Sequence, residues 1–177
     1  PNLKEHHWEE INELLKKDVK NDENFTLGTL LELNAMEYKA DISVISVQAG
    51  QEAALQEMLD KVVSTWAELN LPVVNYKEQK DVFILGNLDD ITAALDDTLV
   101  TVNTIMGSRY VDPIRDTVLH WNHNLLLFQE TLEEWMSCQR QWLYLESIFS
   151  SQDIVRQLPD ESALFNQVDR AWKEIMR

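Results

Sequence analysis

From Ile114 to Trp135, apolar residues recur at alternating steps of four and three: Ile114, Val118, Trp121, Leu125, Phe128, Leu132 and Trp135. Residues at these steps share one face of an α-helix. A seam this long therefore commits the chain to long helices packed side by side. Gln139 breaks the pattern, and Trp142, Leu145 and Phe149 resume it. Asp112-Pro113 reads as a helix start, with Asp as N-cap and Pro at the first helical position. The spacing predicts a helix over about 113–149, roughly 55 Å long at about 1.5 Å per residue.

A second long helix is expected over about 36–70, from Ile42, Ile45, Ala49, Leu55, Leu59, Val62, Trp66 and Leu69. Glu52 interrupts this seam, Gly50 weakens it, and Pro72 ends it. Residues 73–85 change period: Val74, Tyr76, Val82 and Ile84 alternate with Asn75, Lys77, Asp81 and Phe83, around Glu78-Gln79-Lys80. That pattern reads as a β-hairpin. A lone hairpin is marginal in water, so it must lean on the helices or pair with something else. Shorter helices are expected over 3–18, about 29–33, 88–106 and about 160–176, with a polar loop over Lys17–Asn24 that carries Asn21 and Asp22. The apolar face of 88–106 is read as Ile91, Leu95, Leu99, Val102 and Met106, ended by Gly107. That of the last helix is read as Phe165, Val168, Trp172 and Ile175. The fold class is all-α: an elongated helical bundle with two long helices and one hairpin. The expected sub-bundles are 1–107, including the hairpin, and 108–177. Such a shape suits a strut, spacer or lever; an ordinary four-helix bundle stays open.

Charge and punctuation exclude several classes. With 15 Lys+Arg against 31 Asp+Glu the net charge is −16. That argues against a nucleic-acid surface and against anionic membranes, both of which need clustered cations. Four Gly and four Pro are too few for a turn-rich all-β fold. Cys138 alone permits neither an internal disulfide nor a multi-Cys metal site. No apolar run approaches the about 20 residues of a membrane helix. The chain begins at Pro1 and stops at Arg177 inside a helical pattern, which reads as a piece of a longer protein.

The chemistry-bearing residues point to no reaction. No P-loop and no Gly-x-Gly-x-x-Gly is present. His120 and His123 have chelating spacing but no nearby acidic or Cys ligand, and read as solvated. His6 and His7 adjoin, and adjacent helical positions are not expected to converge; packing or hydrogen bonding is expected of one of them rather than ligation. The paired carboxylates (Glu9-Glu10, Asp89-Asp90, Asp96-Asp97, Glu133-Glu134) read as solvated faces or helix-start charges. Cys138 has no evident activating base. The expectation is no catalytic, cofactor-binding or metal residue. Six Trp, three of them in a recurring Trp-x-Glu-apolar pattern, suggest a packed core with one or two partner-facing positions, and leave a spectrin-like spacer open.

The run Trp135-Met-Ser-Cys-Gln139-Arg140-Gln-Trp142-Leu-Tyr144-Leu145-Glu146-Ser-Ile148-Phe149 closely resembles a signature of dynein heavy chains. Asp153-Ile154, Gln157-Leu158-Pro159 and Phe165 continue it. His7-Trp8, the Tyr76 hairpin and Gly107-Ser108 fall in the expected order upstream. The resemblance spans nearly the whole chain, places it in the linker before the AAA+ ring, and is similar to axonemal heavy chains in particular. It implies a non-catalytic lever. The linker bends with the nucleotide cycle, while ATP and Mg are bound by AAA+ modules of the parent chain. It implies a partner in that ring, with other dynein subunits and microtubules reached through other regions. It implies a place in the cytoplasm and cytoskeleton, in the axoneme of a cilium or flagellum. Bending would localise where periodicity stops, at Gly107, Ser108 and Asp112 or at Ser150, Ser151 and Pro159. The hairpin tip, Glu78, Gln79 and Lys80, is a candidate contact, or merely a cap on the bundle.

Overall fold

A computed structural model describes residues 2–19, 22 and 24–177. The loop expected over Lys17–Asn24 falls partly on Lys20, Asn21 and Glu23, outside the described residues. The elements run α1 (Glu5–Leu15), α2 (Leu27–Glu32), α3 (Lys39–Glu68), β1 (Val73–Asn75), β2 (Phe83–Leu85), α4 (Asp89–Met106), α5 (Arg115–Phe149), α6 (Gln152–Gln157) and α7 (Pro159–Ile175). Short 3-10 turns, Ala35–Tyr38 and Asp112–Ile114, lead into α3 and α5. The all-α class, the two long helices and the hairpin all stand as the sequence indicates.

The chain forms two compact units: Pro1–Ser64 with Thr101–Leu119, and Thr65–Val100 with His120–Arg177. In the first, Ile11, Leu15, Val19, Ala35 and Ile45 make a core, flanked by Trp8, Phe25 and Tyr38. Trp8 meets Phe25 edge to face. Helix α1 stops where Lys16 turns left-handed and its N–H reaches back to the Asn12 and Glu13 carbonyls. In the second unit, Leu85, Ile91, Leu132, Trp142, Phe165 and Trp172 are central to the core. The strands pair antiparallel in the register Val73↔Leu85, Val74↔Ile84, Asn75↔Phe83.

The structure corrects several boundaries and faces. Each strand has only three residues, and Val74 is exposed; the hairpin buries Tyr76, Val82 and Leu85. The buried face of α4 is Ile91, Leu95, Thr98, Val102 and Ile105, while Leu99 and Met106 are only half-buried. The steps of four and three continue through a threonine that an apolar pattern passes over. On α7, Val168 and Ile175 are exposed, and Ser162, Phe165, Trp172 and Met176 face inward. Asp112 is not an N-cap: it opens the 3-10 turn, and its carboxylate takes the Arg115 guanidinium at 2.7 Å. Gly107 does follow the last residue of α4, as expected, but without a left-handed φ; Ser108 N–H closes the helix end on the Ile105 carbonyl. Helix α6 falls where the sequence shows only a break.

Candidate functional site: a hairpin clamped to a long helix

The polar residue that breaks the α5 seam is the one that holds the hairpin. Gln139 is 4% exposed. Its Oε1 accepts from Leu85 N–H at 2.7 Å, and its Nε2 donates to the Leu85 carbonyl at 2.9 Å. The amide thus pairs with the edge of β2 as a neighbouring strand would. Trp172 Nε1 donates to the Phe83 carbonyl on the same strand. Those buried backbone groups would otherwise go unpaired, a cost of about 1–3 kcal/mol each.

Three residues further along α5, Trp142 is buried with Tyr76 edge to face on one side and Trp172 stacked on the other. Its Nε1 donates to Asp169. One turn on, Glu146 Oε2 accepts from Tyr76 Oη at 2.6 Å and from Lys77 Nζ at 2.8 Å. Phe149 stacks on Phe165. Gln139, Trp142, Glu146 and Phe149 are steps of three, four and three on one helical face, and all four lie in the signature stretch. Cys138, just before them, and Tyr144, between them, are exposed.

Charge fixes the clamp. Burial pushes the Glu146 carboxyl up, but the hydrogen bonds from Lys77 and Tyr76 and the charges of Lys77 and Lys173 outweigh it, so it sits below the ordinary value. Burial, then the bond to Glu146, pushes the Tyr76 phenol up. The bond to Glu146, then Tyr76, raises Lys77. Lys77 holds a left-handed φ of 54°, a strained conformation for a residue with a Cβ. The turn is tied from within by Asn75 Nδ2, which donates to the Gln79 and Lys80 carbonyls. Glu78, Gln79 and Lys80 are therefore exposed on a braced tip.

The other long helix follows the same logic in the first unit. Glu52 occupies the seam of α3 between Ala49 and Leu55 and is 6% exposed. Its Oε2 lies 2.8 Å from His6 Nε2 and 3.1 Å from His7 Nε2, and its Oε1 accepts from Gln48. The adjacent imidazoles do converge, contrary to the expectation from helical spacing, because their rings lean together with centroids 3.8 Å apart. The three ligand atoms lie within 4.8 Å of one another. The protonation pattern nevertheless suits a hydrogen-bonded latch. Lys4 N–H donates to His7 Nδ1 at 3.0 Å, which leaves the ring's proton on Nε2, where a metal would need the lone pair. His7 Nε2 is close to Glu52 but out of line for a hydrogen bond, and is otherwise without a partner.

The remaining singled-out residues are scattered. Ser108 Oγ accepts from Tyr110 N–H, beside the fully buried Val111. Ser150, Ser151 and Pro159 are exposed around α6. His120 and His123 are exposed, His120 bonding Asn124. Sequence reading missed Gln139, Glu52 and Thr98 as partners, although the signal was present: each is polar at a position where the seam should be apolar. Thr98 Oγ1 accepts from Trp66 Nε1 and donates to the Ala94 carbonyl.

These features define a class: a helical module in which polar residues of the seams, Gln139, Glu52 and Thr98, bond its own backbone and side chains. The family model for the dynein heavy chain, N-terminal region 2, matches residues 1–177. The chain is 46% identical over 178 residues to dynein axonemal heavy chain 6 of Homo sapiens, covering 100% of this chain and 4% of that protein. It is 40% identical over 177 residues to dynein axonemal heavy chain 1 of Rattus norvegicus (100% and 4%), and 36% identical over 175 residues to that organism's dynein axonemal heavy chain 12 (99% and 6%). The chain belongs to the dynein heavy chain family, as a part of its N-terminal region, and spans about a twentieth of these relatives' length.

Proposed function

We propose that this chain is a non-catalytic lever of an axonemal dynein heavy chain, carrying ATP-driven changes in the AAA+ ring into movement along microtubules in cilia or flagella. The observation that carries the proposal is the use of the signature stretch. Its Gln139, Trp142, Glu146 and Phe149 lock a hairpin and α7 against α5. A lever must keep its shape under load, and directional bonds to backbone resist sliding better than apolar contacts do.

The parent chain supplies ATP, Mg and the ring. Bending would fall at an exposed break. Ser150, Ser151 and Pro159 flank a stretch that is exposed apart from Ile154, whereas the Gly107, Ser108 and Asp112 turn carries the buried Val111. Solvent exposure favours the former. Glu78, Gln79 and Lys80 would meet the ring. In the full heavy chain, Gln139→Leu is expected to slow microtubule gliding while ATP hydrolysis persists. Unchanged gliding with a demonstrably loosened hairpin would remove the lever role. Unchanged gliding after deletion of Glu78–Lys80 would make the tip a cap only.

A further inference from the structure

Helix α7 carries more apolar surface than it buries. At about 100° per residue, Leu164, Val168, Ala171 and Ile175 form a stripe centred about 90° from the inward line of Phe165 and Trp172. Leu164 is 63%, Val168 47% and Ile175 69% exposed. Steps of four, three and four make this a packing seam rather than scattered surface residues. Its rim is acidic: Glu161 on the inner side, Asp160 and Glu174 on the outer, all exposed. Asp160 and Glu161 suit the helix N-terminus, but Glu174 stands in the last turn, where the helix dipole disfavours an anion. The basic residues of α7, Arg170 and Lys173, lie on the other side, and Lys173 is taken by Asp169.

We propose that this stripe docks an amphipathic helix whose apolar seam is flanked by Lys or Arg, contributed in cis by another segment of the same heavy chain. The acidic rim selects the basic flank. A second copy is disfavoured, because each chain carries −16. A cis partner fits the size, since one face about three turns long is far less than the ~800 Å² per side of a stable bimolecular interface. Within one chain a high effective concentration compensates for that. The relatives supply ample further chain, as this segment is 4–6% of them. The inference rests on family membership and not on the lever role.

The test places the photo-cross-linker p-benzoylphenylalanine at Leu164 in the full heavy chain, with Arg170 as the control on the opposite side. The expected product joins Leu164 to a Lys- or Arg-flanked helix of the same polypeptide, at least tenfold above the yield from Arg170. Equal yields at the two positions, or products with another polypeptide, would overturn the proposal. In the 177-residue chain alone, the uncharged pair Leu164→Gln with Val168→Gln should shift the melting temperature by no more than about 3 °C. A marked drop would show the stripe already covered without the partner, and would overturn it as well. ATPase or gliding defects do not enter either readout, so failure of the lever role is scored separately.

Discussion

Replacing Gln139 by Leu tests the clamp directly. The substitution leaves an apolar side chain one bond shorter and removes both side-chain partners of the Leu85 peptide groups, on a residue that is 2% exposed. Each buried backbone group left without a partner costs about 1–3 kcal/mol, and the added apolar contact of Leu returns part of that. A net loss of about 2–4 kcal/mol follows. For a chain of this length about 1 kcal/mol corresponds to roughly 2–4 °C, so the unit carrying the hairpin should melt about 5–15 °C lower. Because the chain forms two compact units, a single melting curve need not report one transition. The decisive readout is therefore local: amide exchange at Leu85, bonded at 2.7 Å to Gln139, should accelerate at least tenfold. Gln141→Leu, at an exposed position two residues on, should stay within about 0.5 kcal/mol of the parent. If Gln139→Leu stays inside the same margin and Leu85 exchange is unchanged, the amide is not what holds the hairpin.

The remaining predictions concern charge and the latch on α3. Glu146 is held below its ordinary value of 4.5, so its contribution is present above that pH and is lost as pH falls through the lowered value; Tyr76 and Lys77 are raised from 10.0 and 10.5, so theirs holds below those values and is lost in stronger alkali. Unfolding followed from pH 7 downward should show Lys77→Ala moving the acid limb to higher pH; an unmoved limb would mean that Lys77 does not act on Glu146. Glu52→Ala, which strands Gln48 and the His6 imidazole and removes the carboxylate beside His7, should cost about 2–4 kcal/mol by urea titration, with a cost below about 0.5 kcal/mol counting against the latch. Zinc should not raise the melting temperature, because the Lys4 bond keeps the His7 proton on Nε2; a zinc-dependent rise would place that proton on Nδ1 instead. Gly107→Ala should be nearly neutral in stability, since an added Cβ would come no nearer than 3.5 Å to its neighbours, the Asn103 carbonyl oxygen being the nearest.

The long helices were legible because their seams are long. Ile114 to Phe149 and Ile42 to Leu69 give many repeats of one period, so single exceptions do not erase the pattern. What escaped was the meaning of the exceptions. Glu52 and Gln139 looked like interruptions because hydropathy alone carries no information about partners distant in sequence. Gln139 lies 54 residues from Leu85 and Glu52 lies 46 residues from His6. The α7 face was misread for a different reason. Phe165, Val168, Trp172 and Ile175 do follow helical steps, but they mix two adjacent stripes of one broad apolar arc. Periodicity locates an arc without showing how much of it a neighbour covers. The 3-10 entries to α3 and α5, and the short α6, are decided by a few local hydrogen bonds that leave little trace in composition.

The seam polar residues also show how a stretch of sequence can be specific through packing and hydrogen bonding. A leucine at position 139 would pack against whatever apolar surface the hairpin offered, one residue forward or back. The Gln139 amide meets one peptide group, with its acceptor on the Leu85 N–H and its donor on the Leu85 carbonyl. A shift of one residue along β2 would turn those groups the other way, since successive strand residues alternate in direction. Glu146 repeats the constraint one helical stretch later, at Tyr76 and Lys77. Two directional contacts on one rigid helix, one at each end of the hairpin, fix both its position and its angle. Apolar bulk between them, at Trp142, then adds stability without having to add specificity.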